Sequence, residues 1–170
     1  RDPAWPASTI APCLMFSGAV HGRAAEALQH YADVFPNGRI DLLDRYEVHE
    51  GPVGTLKHGR VALHGQVLVA MDSHLEHHAR FSEAVSLQVY CRDQAEVDHF
   101  WSRLGDGGEE GPCGWLKDRF GVSWQIVPSS LLDLMLAGET AGPGYERAFR
   151  AMLDMTRIDV AALDKAYRDA

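Results

Sequence analysis

One order of hydrophobic periods occurs twice along this chain: a short strand pattern, an amphipathic helix, then further strand patterns, once within residues 9–72 and again within 84–128. A spacing of roughly 70 residues is too long for a solenoid repeat, so it predicts two paired modules of an α+β fold. In the first copy, residues 9–17 form a short β-compatible run closed by Ser17-Gly18. Ala27, Leu28, Tyr31, Val34 and Phe35 then fall on one face of a 3.6-residue period, which predicts a helix over 23–35. Pro36-Asn37-Gly38 stops it. Strands are expected at 39–48, 60–64 and 66–71, with turn signals at Gly51-Pro52 and His64-Gly65.

The second copy opens with a strand at 84–91 and a helix announced by Asp93 and Glu96, the spacing of a capping box. Val97, Phe100, Trp101 and Leu104 keep one apolar face. A glycine-rich loop at 105–114 follows, read as flexible, and strands resume at 115–117 and 122–127. Glu26-Ala27-Leu28 with Tyr31 can be laid over Glu96-Val97-Asp98 with Trp101. Beyond Pro128 three helices are expected, at 131–136, 145–155 and 159–167, with Gly142-Pro143-Gly144 as a break. The organisation expected is a flexible tail at 1–8, modules at 9–72 and 84–128, a linker at 73–83 and a helical extension at 129–170.

A formal charge of −8 argues against nucleic acid or an anionic membrane surface as partner, because both need clustered Lys and Arg. It mildly favours neutral or cationic ligands. No apolar run approaches the ~20 residues that cross a bilayer, and residues 1–8 lack the apolar centre of a leader, so a cytoplasmic location is expected. Cys13, Cys91 and Cys113 form no CxxC pair and are odd in number; all three are expected as buried thiols.

Residues 113–128, Cys-Gly-Trp-Leu-Lys-Asp-Arg-Phe-Gly-Val-Ser-Trp-Gln-Ile-Val-Pro, strongly resemble the signature of PhnB-like proteins, a family labelled 3-demethylubiquinone-9 3-methyltransferase. Phe35-Pro36-Asn37-Gly38-Arg39-Ile40, Val85-Ser86-Leu87-Gln88-Val89, Ala151-Met152-Leu153-Asp154-Met155 and Ile158-Asp159-Val160-Ala161-Ala162-Leu163 extend the likeness over nearly the whole chain. The resemblance implies the vicinal-oxygen-chelate fold of the glyoxalase/bleomycin-resistance superfamily: two βαβββ modules, each a half barrel, enclosing a small-molecule cavity, commonly in a homodimer. Metal-using members of that superfamily place His, Glu or Gln on the first and last strand of each module, leaving open positions where a Lewis acid can meet vicinal oxygens.

This chain departs from that ligand pattern. Residues 9–17 hold no His or carboxylate, and Cys13 alone is a weak substitute. Ser86 stands where the resemblance puts a His, and Gln125 where it puts a Glu. A divalent metal is therefore disfavoured and no cofactor is expected. His74, His77 and His78, with Glu76 among them, form a rival cluster, but in a polar linker they read as a solvated segment. Gly105, Gly107, Gly108 and Gly111 lack the Lys-Ser/Thr ending of a phosphate loop, and no HExxH or nucleophile elbow occurs.

Strand alternation places Val85, Leu87 and Val89 under the helices and Ser86, Gln88 and Tyr90 on the cavity face, with Gln125 beside Ser86. Ser86 and Gln125 either orient a ligand or satisfy each other by hydrogen bonding. Trp115 and Trp124 are candidate pocket walls, with core packing as their alternative. Lys117 and Asp118 read as a surface ion pair in a turn, with a cavity rim as the alternative. Three functions stay open: a metal-free pocket for a small organic molecule, a metal-dependent lyase, isomerase or dioxygenase of the superfamily type, and the methyltransferase of the family label. The last has no glycine-rich strand-to-helix fingerprint to support it. Apolar faces at Phe149, Met152 and Leu153, and at Val160, Leu163 and Tyr167, suggest a homodimer contact.

Overall fold

In the computed structural model, residues 10–137 and 142–169 are described; the tail expected over 1–8 lies outside the described residues. The chain divides into two compact units, the first ending at Arg80 and the second starting at Phe81.

The first unit runs β1 (Cys13–Phe16), α1 (Ala24–Val34), β2 (Arg39–Arg45), β3 (Leu56–Leu63) and β4 (Gln66–Asp72). Its sheet has the order β1-β4-β3-β2, with β1 parallel to β4 and the other pairs antiparallel. Alternation sorts the side chains: Leu14, Phe16, Leu68, Ala70, Val61 and Leu63 are buried along with Ala27, Leu28, Tyr31 and Val34 of α1. Strand β3 begins at Leu56, four residues before the expected start at 60, because Lys57-His58-Gly59 breaks the apolar alternation. Gly59 sits where a Cβ would meet the Leu28 and Leu56 side chains, so its smallness admits the helix.

The second unit repeats the plan with β5 (Ser86–Cys91), α2 (Gln94–Gly105), β6 (Glu109–Glu110), β7 (Trp115–Lys117) and β8 (Ser123–Pro128). The order is β5-β8-β7-β6, again with one parallel pair, β5 and β8. Val89, Cys91, Leu116, Trp124 and Ile126 are buried, as are Val97, Phe100, Trp101 and Leu104 of α2. The Asp93 carboxylate accepts the Glu96 N–H at 3.0 Å, while Glu96 accepts from the Arg92 N–H at 2.8 Å, one residue outside the usual box. The glycine-rich loop contains β6, and its glycines meet close packing. A Cβ on Gly108 would fall on the Lys117 carbonyl oxygen, and Gly114, at φ +80°, approaches the Ile126 carbonyl closely.

Helices α3 (Ser129–Ala137), α4 (Gly144–Leu153) and α5 (Val160–Arg168) complete this unit. Met152 and Leu163 are buried in one cluster with Val127, Leu131 and Ile158, and Phe149 and Met155 pack against it. Most of the apolar surface that suggested a subunit contact is thus covered within the unit, leaving Leu153 and Tyr167 exposed.

Two sequence expectations are corrected here. Val85 is 73% exposed, because β5 starts at Ser86, two residues after the expected start, and the helix face begins to be covered further along the strand. Of the cysteines only Cys91 is buried; Cys13 is exposed and Cys113 half-buried. Burial, with Glu96 and Asp93 nearby, pushes the Cys91 thiol up to about 12. At neutral pH its thiolate fraction is then about 1000-fold below that of an ordinary thiol. A disulfide reagent is expected to label Cys13 in the native protein and to leave Cys91 unmodified until denaturant is added; native labelling of Cys91 at the Cys13 rate would contradict this placement.

Candidate functional site

The face of the second sheet opposite α2 is set by alternation and register. Ser86 pairs with Ser123, Gln88 with Gln125, and Tyr90 with Val127 across β5 and β8. Trp115 pairs with Gln125 and Lys117 with Ser123, and Glu109 on β6 pairs with Lys117. Residues in register lie on the same face, so Ser86, Ser123, Lys117 and Glu109 form one row, and Gln88, Gln125 and Trp115 the next.

Four of the residues singled out from the sequence are joined in a hydrogen-bonded chain across that face. Tyr90 Oη donates to Gln88 Oε1 at 2.8 Å, Gln88 Nε2 to Gln125 Oε1 at 3.2 Å, and Gln125 Nε2 to Ser86 Oγ at 2.7 Å. Tyr90 and Gln88 are exposed, Ser86 and Gln125 half-buried. An amide has two N–H donors, so each glutamine keeps one N–H beyond this chain, and the Ser86 hydroxyl keeps its own proton to donate.

Trp115 is half-buried and lines a groove of about 380 Å³ with Glu83, Glu109, Pro112, Lys117 and Ser123. Trp124 does not join it. It is 2% exposed on the α2 side of β8, where its Nε1 donates to Asp118 Oδ2 at 2.9 Å. The expected Lys117–Asp118 ion pair does not form: Asp118 is 3% exposed and Lys117 Nζ pairs instead with Glu83 Oε1 at 2.6 Å. That bond holds the Glu83 carboxyl below its usual range and the Lys117 ammonium above its own. Glu83, Glu109 and Ser123 were missed in the sequence. Register alone would have put Ser123 beside Ser86, but nothing local marks Glu83, which precedes β5.

The donor set departs from that of metal-using members of the superfamily. Ser86 and Gln125 bond each other, and Gln125 Oε1 gives one of its two lone pairs to the Gln88 N–H, so the pair offers a neutral amide oxygen and a hydroxyl in place of an imidazole and a carboxylate. Cys13 on β1 is solvent-exposed, yet the protein around its thiol desolvates it and holds it above its ordinary range, which disfavours the thiolate a soft metal needs. Among the described residues no group of three or more His, Cys, Asp or Glu is placed to hold a metal ion. The 73–80 segment is not helical, so its histidines diverge: His77 Nε2 lies 2.7 Å from Ser73 Oγ, and His74 meets the Tyr46 ring edge-on.

Two βαβββ units with this strand order define the glyoxalase/bleomycin-resistance class of α+β fold. The sequence model of the 3-demethylubiquinone-9 3-methyltransferase family matches residues 8–127, and the chain belongs to that family. A PhnB protein from Bacillus cereus is 32% identical, with a TM-score of 0.64, over 71% of this chain and 99% of that one. Protein PA1353 from Pseudomonas aeruginosa shares the fold at 22% identity and a TM-score of 0.60, over 71% of this chain and 97% of its own. No curated protein matches. Among the described residues no helix is long and apolar enough to cross a membrane.

Proposed function

We propose that the second unit binds a small, oxygen-bearing organic molecule on the face carrying Ser86, Gln88, Tyr90, Gln125 and Trp115, without a metal. The observation that carries this reading is the Tyr90–Gln88–Gln125–Ser86 chain, which presents two amide N–H donors and a hydroxyl beside an aromatic wall. If the chain served only to satisfy buried groups, its members would be buried; Tyr90 is 56% exposed. Neutral donors in fixed positions suit carbonyl, hydroxyl or similar oxygens; the groove of about 380 Å³ adjoins this row through Trp115 and is not lined by the glutamines themselves. The family's methyltransferase label draws no support from the turn into α2, Arg92-Asp93, which has no glycine to admit a nucleotide-like cofactor. A second copy of the chain is part of this proposal, as the resemblance implies, with nucleic acid disfavoured by the charge of −8.

Two measurements test the reading. Elemental analysis of protein purified without a metal-binding tag is expected to give transition metal far below one equivalent. A near-stoichiometric metal would overturn the metal-free proposal and favour the metal-dependent enzyme. In a thermal-shift screen of neutral oxygen-rich compounds, hits are expected to lose about 10- to 100-fold in affinity in Gln125→Leu and Gln88→Leu, the worth of one or two hydrogen bonds. Hits indifferent to both substitutions would place binding elsewhere.

A further inference from the structure

The groove beside the glutamines has a charge pattern of its own. Glu83 and Glu109 stand on either side of Lys117, which bonds only Glu83, while the neighbouring Glu110 gives its Oε1 to the Trp101 indole N–H at 2.9 Å. One ammonium, bonded to Glu83, thus faces two carboxylates along a groove walled by Trp115 and Pro112. Under them lies an independent observation: Ser123 is 1% exposed, in register with Lys117, and its hydroxyl has no hydrogen-bond partner. An unsatisfied buried hydroxyl costs about 1–3 kcal/mol, so such groups in native proteins usually meet a ligand or a bound water. Strand β8 lies between β5 and β7, so the Glu83–Lys117 pair bridges across β8 near this hydroxyl.

We infer that the groove takes an organic ammonium ion with an apolar body, its cation between Glu83 and Glu109 with one N–H reaching the Ser123 hydroxyl, and its body against Trp115. This rests on the reading that this face binds a small molecule, and it adds a cation-recognising groove beside the neutral donors, joined to them through Trp115. The chemistry is direct. The Lys117–Glu83 pair is solvent-exposed, and such pairs are weak, so a ligand ammonium can take the place of Lys117 at Glu83. Release of the lysine opens the way to Ser123. An aromatic wall adds attraction for a cation in contact with it.

The inference makes an asymmetric prediction about Lys117, a competitor for Glu83 rather than a ligand contact. Three probes of similar shape separate the cases by calorimetry at low salt: 2-phenylethylammonium, 3-phenylpropanoate and 3-phenylpropan-1-ol. The ammonium ion is expected to bind, and to bind about 5- to 10-fold more tightly to Lys117→Met, while Glu109→Gln and Trp115→Ala weaken it about 10-fold. The carboxylate is expected not to bind. Weaker ammonium binding in Lys117→Met, or preferential binding of the carboxylate, would overturn the inference, as would silence from all three probes. Equal binding of the alcohol, lost in Gln125→Leu, would remove the cation class and leave the small-molecule reading standing. Circular dichroism of each variant separates a misfolded groove from an altered one.

Discussion

Replacing Asp118 with alanine is expected to lower the unfolding free energy by about 3–5 kcal/mol, the range for stranding buried polar partners. The Asp118 carboxylate is 3% exposed and accepts three bonds: the Phe120 N–H at 2.9 Å, the Val122 N–H at 3.0 Å and the Trp124 indole N–H at 2.9 Å. Its own N–H donates to the Val122 carbonyl at 3.0 Å, closing the turn between β7 and β8. Alanine leaves all three donors without an acceptor in a site that water does not reach. Asparagine keeps one oxygen for the two backbone donors but turns an NH₂ toward the Trp124 N–H, so about half the loss is expected. Urea titration with an unchanged slope would report this as stability. A loss below about 1 kcal/mol for alanine would mean that the turn refills its hydrogen bonds by rearranging. The site should feel the change too, since Trp115 and Gln125 sit on the two strands this carboxylate joins. A cycle with Trp124→Phe isolates the indole's share.

What the sequence made legible follows from which forces are local. Helix α1 was expected over 23–35 and runs Ala24–Val34, because Leu28, Tyr31 and Val34 carry a 3.6-residue period that needs no distant partner. The face of Ser86, Gln88, Tyr90 and Gln125 follows from strand alternation, a period of two. Strand β6 was not legible: Glu109–Glu110 has no apolar alternation and is a strand only because its backbone pairs with Lys117 and Leu116. Lys117-Asp118 misled for a related reason. Adjacent opposite charges in a turn read as a surface pair, and only the folded hairpin brings an indole and two backbone N–H groups onto the aspartate. Trp124 was ambiguous between wall and core, and that same carboxylate settles it as core. Strand order within each sheet was not legible, since hydrophobic periods carry no information about which strands are neighbours.

Asp72 is the corresponding point in the first unit, where alanine is expected to cost about 3 kcal/mol. Its carboxylate is 1% exposed; Oδ1 accepts the Gly22 N–H at 2.7 Å and the Ala24 N–H at 3.3 Å, and Oδ2 the Leu56 N–H at 2.8 Å. Helix α1 needs this help, because its N-cap, Arg23, contributes no side-chain cap bond, whereas α2 is capped by its own Asp93. The first N–H of α1, that of Ala24, and the Gly22 N–H just ahead of the cap are instead met by a carboxylate from the end of β4, where negative charge also complements the helix dipole. Asparagine is expected to retain part of the cap while losing the charge-assisted strength and setting an NH₂ against the Leu56 N–H. Hydrogen exchange reads the effect residue by residue: the amides of Gly22, Ala24 and Leu56 should lose protection together in Asp72→Ala. Protection retained at Ala24 would show that α1 finds another cap. Loss at Ala24 with Leu56 unchanged would show that Oδ1 and Oδ2 act separately, one fixing the helix and the other the start of β3.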